Sequence, residues 1–568
     1  MSEPEIAYFS MEIAVDPAMP TYSGGLGILA GDFLRSAADR EVPMVAVTLL
    51  YHKGYFRQTL DGSGHQSESP EQWNPSEKLR LLTATAQIAL EDRPVHMRVW
   101  RYEVHGISGQ GIPIYFLDTD LAENDAYARS LTDVLYGGDP RYRLCQEAVL
   151  SQGGLGILEA LGYRALRIYH MNEGHSALIG LCLLERQLQL AGRTAVTADD
   201  ILTVRRRCVF TTHTPVPAGH DQFSKELARQ VLGEKCVNAL EAAEGYHDGT
   251  LNMTYLALRF SHYINGVAMH HGEVSRGMYP DYPVRAITNG VHAITWSSTA
   301  SSELYDRHFP EWREDNLYLR YALGIPVEEI RAAHLSAKRR LLDEIHARTG
   351  RALDEKVMTI GFARRAAAYK RLELFFSDLE RLKWIAKQVG PLQVVCGGKA
   401  HPQDEAGKQS IERVFAAAAA LGDAVPVVYV ENYDMAWARL LVSGVDLWLN
   451  TPLPPEESSG TSGMKAALNG VPSLSVLDGW WIEGHIEGFT GWSIEDGIGG
   501  DSAGELSSLY GKLARVILPM YYGRPDDYSE IMRYTIALNG SFFNTQRMIS
   551  QYVANAYGTG ATLTPNLP

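Results

Sequence analysis

The sequence predicts an α/β protein with two doubly wound parallel sheets. Apolar runs rich in β-branched residues alternate with helical patterns along the whole chain, as they do when both faces of a parallel sheet are covered. The 568 residues exceed what one hydrophobic core usually spans, so we expect two domains. A strongly charged, helical stretch from about 297 to 355 separates the two groups of strands and is interpreted as a linker with packing helices.

Nine short apolar runs are predicted to be buried strands. They are residues 42–50, 112–118, 165–172 and 207–213 in the first half, and 356–362, 392–398, 424–432, 445–450 and 471–479 in the second. Ligands of open parallel sheets bind beyond the carboxyl ends of the strands. The residues that follow these runs are therefore the candidates for chemistry.

Composition and charge exclude several classes of protein. Hydrophobic residues make up 45% of the chain and charged residues 21%, which is ordinary for a folded globular protein. The net charge of -15 argues against nucleic acid as a partner, so any bound anion needs a local basic pocket. We find no secretory leader and no run of about 18 apolar residues, so no membrane partner is expected. Five widely spaced cysteines favour reduced thiols and a cytoplasmic location: Cys145, Cys182, Cys208, Cys236 and Cys396.

The segment after the strand at 445–450 carries a candidate anion site. Small residues from Ser459 to Gly463 let backbone amides approach a ligand before a helix that we expect to begin around Met464. An ordinary capped helix start is the alternative interpretation. Lys465 lies at this helix start, where the positive end of the helix dipole disfavours protonation and so favours a nucleophilic amine.

A basic cluster follows the strand at 356–362. It contains four cations within eight residues: Arg364, Arg365, Lys370 and Arg371. Two phosphate groups bound side by side would need such a concentration of charge. A solvated basic face is the alternative.

Two further features lie in the first half. Ser23, Gly24, Gly25 and Gly27 form a glycine turn before a helix, which is typical of phosphate loops but matches neither nucleotide fingerprint, so a purely structural turn stays open. Groups of polar residues also end strands of the first half: Asn172, Glu173, His175, His213, His262 and Asn265. A buried histidine with its hydrogen bonds satisfied is the alternative for any single one of the histidines. Without an HExxH motif a zinc site is disfavoured, and we expect these groups to bind hydroxyls or to hold loops.

Ten segments in order resemble the α-glucan (glycogen, starch and maltodextrin) phosphorylases, particularly their shorter prokaryotic branch. They are YFSMEIA, SGGLGILAGDF, NEGHSAL, FTTHTPVPAGHD, HYINGVAMHHGEVSR, ITNGVH, FARRAAAYKR, GGKAHP, VENYD and EESSGTSGMKAALNG. The resemblance implies the GT-B fold, in which two facing Rossmann-like domains enclose a catalytic cleft. The domains would be 1–300 and 356–535, with a linker at 301–355 and a C-terminal helix and tail at 536–568 whose return to the first domain is one option.

The same resemblance implies pyridoxal phosphate as cofactor, held as an imine by Lys465. Its phosphate would contact Arg364, Lys370, Tyr433, Thr461 and Ser462, while Arg365 and Lys370 would hold the substrate phosphate and the backbone of Gly25 would serve both. The glucosyl unit would meet Glu457, Ser459 and Gly460 at its 3- and 4-hydroxyls, Leu26 beneath its ring and the backbone carbonyl of His262, with Asp139 in a gating loop. Lys465, Arg365, Lys370 and His262 form the implied catalytic set.

The implied reaction is phosphorolysis of a terminal α-1,4-linked glucose from a glucan or maltooligosaccharide by inorganic phosphate. It releases α-glucose 1-phosphate with retention, because two phosphates that share a proton can first protonate the glycosidic oxygen and then attack. One departure is Asp434, which follows Tyr433 where long phosphorylases carry an arginine. Whether the chain forms a homo-oligomer is left open.

Two alternatives remain. The first is a nucleotide-sugar glucosyltransferase of the same fold, similar to a glycogen synthase. Such enzymes commonly carry a second glutamate eight positions after the first, whereas here Lys465 occupies that position after Glu457. The second alternative is an inactive glucan-binding homologue in which Trp480 and Trp481 stack on sugars.

Overall fold

The computed structural model describes residues 3–495 and 502–558. The β-strands in these residues are β1 (Ile6–Ser10), β2 (Met44–Leu49), β3 (Arg57–Leu60), β4 (Gln66–Ser69), β5 (Arg80–Leu90), β6 (Arg93–His105), β7 (Gly111–Asp118), β8 (Ile168–Asn172), β9 (Cys208–Thr211), β10 (Gln222–Ser224), β11 (Thr250–Asn252), β12 (Tyr263–Gly266), β13 (Val284–Ala286), β14 (Met358–Ala363), β15 (Leu392–Gly397), β16 (Val427–Val430), β17 (Leu447–Asn450), β18 (Ser473–Val476) and β19 (Gly491–Ile494). All nine predicted runs contain one of these strands, or nearly all of one. The α/β class is therefore confirmed.

The α-helices cover the faces of the sheets and connect their strands. They are α1 (Gly25–Asp39), α2 (Ala126–Ser130), α3 (Pro140–Ala148), α4 (Gly154–Ala160), α5 (Leu178–Leu190), α6 (Ala198–Arg205), α7 (Lys225–Ala242), α8 (Met253–Phe260), α9 (Met269–Met278), α10 (Ala293–Trp296), α11 (Thr299–His308), α12 (Val327–Thr349), α13 (Leu379–Gln388), α14 (Glu405–Leu421), α15 (Met435–Gly444), α16 (Thr461–Ala467), α17 (Trp481–Gly484), α18 (Ser502–Lys512), α19 (Leu518–Gly523), α20 (Pro525–Tyr534) and α21 (Thr545–Tyr552). No helix of the described residues is long and apolar enough to cross a bilayer.

The first sheet is mixed, with the order β13-β12-β9-β8-β1-β2-β7-β6-β5. The strands from β13 to β7 pair in parallel, and β6 and β5 extend the sheet by antiparallel pairing. The nine predicted runs do not include this antiparallel edge. Strand β5 is not a continuous apolar run, because it alternates between exposed and partly buried positions along most of its length. Ser10 lies opposite Asn172, and Asn172 lies opposite Thr211, so polar side chains meet at the carboxyl ends of β1, β8 and β9.

The second sheet is wholly parallel, with the order β16-β15-β14-β17-β18-β19. All five strands predicted for the second half belong to it. The charged stretch before it is helical, as expected, and contributes Tyr305, Trp312 and Ile345 to the same apolar core as Ile360 of β14. This packing explains why that stretch is amphipathic rather than wholly polar.

The chain ends by returning to the first sheet. Thr545 at the start of α21 hydrogen-bonds Ser36 of α1 through their hydroxyl oxygens at 2.6 Å, and the Tyr557 hydroxyl lies 2.6 Å from Nδ1 of His170 in β8. Residues 559–568, the end of the predicted tail, lie outside the described residues. The limits of the domains stay a prediction.

Candidate active site

The glycine turn is shaped by a carboxylate that the sequence analysis did not single out. Glu12 follows β1, and its Oε2 accepts the backbone N–H of Ser23 at 2.6 Å and of Gly24 at 3.2 Å. Its Oε1 accepts the hydroxyl of Tyr136 at 3.0 Å. A side chain at position 27 would lie 2.7 Å from the Glu12 carboxylate, which explains the glycine there.

The start of α1 remains open next to this carboxylate. A Cβ atom added to Gly24 or Gly25 would meet no atom within 4 Å. In the described part of the chain, no group accepts the amides of Gly25 and Leu26, which belong to the first helical turn. Such amides, at the positive end of a helix of 15 residues, are suited to an anion.

Two residues of the basic cluster converge on Glu457. The amine of Lys370 lies 2.6 Å from both carboxylate oxygens, and Nη2 of Arg364 lies 2.6 Å from Oε2. Burial raises the pKa of Glu457, but the charges of Lys370 and Arg364 outweigh it and lower the pKa to about 2. Nε and Nη1 of Arg364 are buried without a hydrogen-bond partner among the described residues. The cluster therefore keeps donors available for a further anion.

Arg365 does not join Lys370 and Arg364 at Glu457 among the described residues, and its strongest electrostatic partner is Tyr369 of the same segment. Its side chain is exposed and forms no ion pair with a described carboxylate. It interacts electrostatically with Tyr55 and Glu12, which places it close to the glycine turn. An exposed cation beside open helix amides can hold a second anion.

Lys465 is a buried amine on the helix that follows the anion-binding segment. It lies on α16, and its Nζ is 4.1 Å from the centre of the Trp296 ring. Burial lowers its pKa to about 8, although Asp32 opposes the shift. The amine donates no hydrogen bond to a residue of the described ranges. A buried, weakly basic and unpaired amine is suited to nucleophilic attack on a carbonyl group.

The physical cause of this low pKa differs from the predicted one. Helix α16 begins at Thr461, after Gly460 with φ 85°, and not around Met464. Lys465 therefore lies beyond the first turn, where the helix dipole acts weakly. Loss of hydration among Trp296, Met464 and the neighbouring core is the larger effect.

Asp32 connects the glycine turn to Lys465. It lies on α1, is fully buried, and its Oδ2 accepts the indole N–H of Trp296 at 2.6 Å. The same indole ring lies beneath the Lys465 amine. The two ends of the site are thus held together by one aromatic side chain.

The remaining predicted residues of the second half lie around this group. Tyr433 packs close to Gly397 and interacts electrostatically with Arg364, and Ser462 accepts the indole N–H of Trp448 at 3.2 Å. Thr461 begins α16, Gly460 precedes it, and the hydroxyl of Ser459 is buried without a partner in the described ranges. Asp434, where the long enzymes carry arginine, caps α15 by accepting the N–H of Trp437 at 2.9 Å. It therefore has a structural role.

Asp478 is a residue that the sequence analysis missed. It follows β18 and accepts the backbone N–H of Glu457 at 2.9 Å. Burial raises its pKa to about 6. It lies near the end of the predicted run 471–479, and a charged residue at the carboxyl end of an apolar run was a signal that could have identified it.

At the first sheet, His213 and not His262 lies at the carboxyl ends of the strands. His213 follows β9, its Nε2 is 2.8 Å from Oδ1 of Asn172, and its backbone N–H donates to Glu173 at 2.8 Å. Burial lowers its pKa to about 3, so the ring is neutral. His262 precedes β12 and faces the backbone oxygens of Arg205 and Ala556 at the opposite edge, so the structure does not bring it to the site. 

Of the other residues assigned to the glucosyl unit and to the gating loop, Leu26 and Glu457 lie at the site, whereas Asp139 lies on the surface. Leu26 lies beside Gly25 in the first turn of α1, and Glu457 is buried beneath the basic cluster. Asp139 is exposed and caps α3 by accepting the N–H of Tyr142 at 2.9 Å. The loop that contains it also carries Tyr136, the partner of Glu12.

Comparisons with known proteins agree on one family. A family model described as carbohydrate phosphorylase matches residues 11–91 and 216–487. The chain is 38% identical to the maltodextrin phosphorylase of Thermococcus litoralis, over 98% of this chain and 70% of that protein. It is 36% identical to the glycogen phosphorylase of Mycobacterium tuberculosis over 98% of this chain and 71% of that protein, and 33% identical to that of Aquifex aeolicus over 97% and 86%.

Proposed function

The chain belongs to the carbohydrate phosphorylase family, and we propose that it cleaves terminal α-1,4-linked glucose from glucans or maltooligosaccharides with inorganic phosphate. The product is α-glucose 1-phosphate, with retention at the anomeric carbon. The observation that carries this assignment to the site is the buried Lys465 amine on α16, a helix that begins directly after Gly460, whose Cα faces Glu457 of the cationic pocket.

The residues around Lys465 fit pyridoxal phosphate. The amine is weakly basic and unpaired, as a lysine that binds an aldehyde must be. Arg364 keeps two buried N–H groups without partners among the described residues, and Ser459 keeps its hydroxyl. Lys465 would hold the aldehyde carbon, and Arg364, Lys370 and the start of α16 would hold the phosphate. When bound there, the group supplies a phosphate that can donate and accept a proton.

The substrate phosphate is assigned to Arg365 and to the open amides at the start of α1. Arg365 interacts with Glu12, which binds the glycine turn, and it is adjacent in the chain to Arg364, so two anions would lie close together. Their mutual repulsion favours the sharing of a proton, and the surrounding cations offset the remaining charge. The substrate phosphate, held by Arg365 and the amides of α1, would give its proton to the glycosidic oxygen as the bond from this oxygen to C1 breaks, and one of its oxygens would form the new bond to C1 on the same face.

Glu457 has two roles in this proposal. Without ligands it balances the charges of Lys370 and Arg364. When the phosphates occupy these cations, its carboxylate is released to accept hydrogen bonds from glucosyl hydroxyls. Asp478 fixes its backbone during this exchange.

The proposal includes the GT-B arrangement and a cytoplasmic location. The two halves meet beyond the carboxyl ends of their strands, where the Tyr22 hydroxyl accepts the N–H of Met435 at 3.0 Å and Lys399 donates to Phe56 at 2.9 Å. A cleft at this junction would exclude water, which would otherwise hydrolyse the glucosyl unit. All five cysteines are free, in keeping with a reducing compartment.

The test compares wild type with Lys465→Ala. Wild type should absorb in the near ultraviolet through its bound cofactor and should release glucose 1-phosphate from maltoheptaose only when phosphate is present. Lys465→Ala should lose both properties, whereas Lys383→Ala, which removes a lysine of α13 paired only with Glu380 in the described structure, should keep both. Activity retained in Lys465→Ala, or glucose transfer from a nucleotide sugar by wild type, would contradict the proposal.

A further inference from the structure

A buried acid lies on α3, outside the site described above, and is connected to the glycine turn through Arg143 and Tyr136. Glu147 on α3 is fully buried, and neither carboxylate oxygen has a hydrogen-bond donor among the described residues. The polar groups that face it are Asp221 and Arg143. Asp221 lies 3.6 Å from Nε of Arg143 and 3.4 Å from Nε2 of His175. Two carboxyl groups therefore share one guanidinium.

The charges of this group do not balance unless it holds a proton. Burial lowers the pKa values of His175 and His220 to about 4, so both rings are neutral near pH 7. The titratable groups that face the two carboxyls are Arg143, Tyr51, His175, His220 and Glu173. Glu173 accepts the N–H groups of Gly174 and His213 and the Thr214 hydroxyl. Arg143 is the cation that faces Glu147 and Asp221, so ionisation of both would leave one of these two buried carboxylates without a compensating cation.

The proton belongs to Glu147. Burial and the nearby Asp221 raise the pKa of Glu147 well above its ordinary value. Burial also acts to raise the pKa of Asp221, but the groups around it, Arg143 first among them, outweigh burial and lower that pKa. The Asp221 side chain is 26% exposed, whereas Glu147 is not exposed at all, which fits an ionised Asp221 and a neutral Glu147.

A short series of contacts connects this pair to the phosphate turn. The Arg143 guanidinium lies 4.5 Å from the centre of the Tyr136 ring. Tyr136 donates its hydroxyl to Glu12, and Glu12 accepts the amides of Ser23 and Gly24. Tyr136 has a φ of 56°, a conformation that a non-glycine residue keeps only when its surroundings hold it. The position of Arg143 is therefore one of the contacts that hold Tyr136.

We propose that Glu147 is a positioning residue for phosphate binding. It acts as a neutral carboxylic acid that shares its proton with the carboxylate of Asp221. In this state Arg143 stays against Tyr136, and Tyr136 keeps Glu12 and the glycine turn in the geometry that receives phosphate. An ionised Glu147 would compete for Arg143 and draw it from the tyrosine ring. The inference rests on the proposed phosphorolysis.

The first test detects the proton itself. The infrared difference spectrum of wild type minus Glu147→Gln, recorded at neutral pH on the complete protein, should contain the carbonyl stretch of a protonated carboxyl group. A difference spectrum with only ionised carboxylate bands would overturn the proposal. This measurement needs no activity, so it can fail or succeed independently of the proposed function.

The second test is kinetic. Glu147→Gln keeps the shape and neutrality of the acid, so its KM for phosphate should stay within about twofold of wild type. Glu147→Leu cannot share a hydrogen bond with Asp221, and its KM for phosphate should rise about fivefold while its KM for maltoheptaose stays unchanged. Tyr136→Phe should give a similar rise, and the double variant should exceed neither single variant by much, because both act through one series of contacts.

Additive effects of Glu147→Leu and Tyr136→Phe would overturn the coupling. An increase in KM for phosphate in Glu147→Gln as large as in Glu147→Leu would show that the neutral acid is not the working form. If Glu147→Leu fails to fold, the single variants Glu147→Gln and Tyr136→Phe still test the proposal. Tyr136→Phe must raise the KM for phosphate without changing the KM for maltoheptaose, and Glu147→Gln must not. Absence of phosphorolysis in wild type would reject the proposed function. The infrared spectrum would still report whether Glu147 is protonated, because that measurement does not depend on activity.

Discussion

Replacing Lys465 by methionine should stabilise the protein when no cofactor is bound. Methionine has a similar length and no charge, so it suits the apolar surroundings of Trp296 and Met464 better than an amine does. Burial shifts the pKa of Lys465 from 10.5 to about 8. That shift corresponds to about 3 kcal/mol. Below pH 8 the folded state is less stable by this amount, because burying the amine opposes the protonation that the unfolded chain allows.

The sign of the effect sets its dependence on pH. The unfolded chain binds more protons than the folded chain between about pH 8 and pH 10.5, so the stability of wild type rises with pH across this interval. The advantage of Lys465→Met should therefore be largest, about 3 kcal/mol, below pH 8 and should disappear by about pH 10.5.

The assay is urea unfolding of protein prepared without pyridoxal phosphate, at about pH 7 and again at the alkaline end of this interval. Lys383→Met, on an exposed part of α13, serves as the control and should show little change at either pH. The reasoning would be refuted by a Lys465→Met variant that is no more stable than wild type, or by a difference that is the same at both pH values.

Three further outcomes test the site. Glu457→Gln leaves Lys370 and Arg364 buried without a full countercharge, so the cofactor-free protein should lose about 3 kcal/mol of stability, and added phosphate should restore more of it than in wild type; urea unfolding with and without phosphate measures this. Gly27→Ala should raise the KM for phosphate because its Cβ would lie 2.7 Å from Glu12, whereas Gly277→Ala, at an exposed position of α9 with nothing within 4 Å, should leave it unchanged; equal kinetics for both variants would contradict this. His213→Ala should raise the KM for glucan severalfold through loss of its contact with Asn172, and an unchanged KM would contradict the place given to His213 in the site.

The sequence determined the strands and most of the chemistry at their ends. The nine apolar runs lie in the sheets because burial on both faces requires continuous apolar residues, a property that can be read locally. The basic cluster and the segment around Lys465 follow such runs, so their approach to one edge of the sheet was predictable. Asp478 lies at the end of one of these runs, whereas Glu12 follows β1, which was not among the nine predicted strands.

Only the tertiary structure decided the position of His262, the pKa of Lys465 and the protonation of Glu147. Each depends on contacts between residues that lie far apart in the sequence, which no local pattern reveals. His262 lies one residue before β12, and the four residues of that strand carry the chain about 13 Å, so a small uncertainty in the strand moves a side chain to the other edge of the sheet. The reactivity of Lys465 comes from burial against Trp296 and not from its place on a helix. The proton on Glu147 follows from its packing against Asp221, which is 74 positions away in the sequence, since only folding removes the water that would otherwise separate and hydrate the two carboxylates.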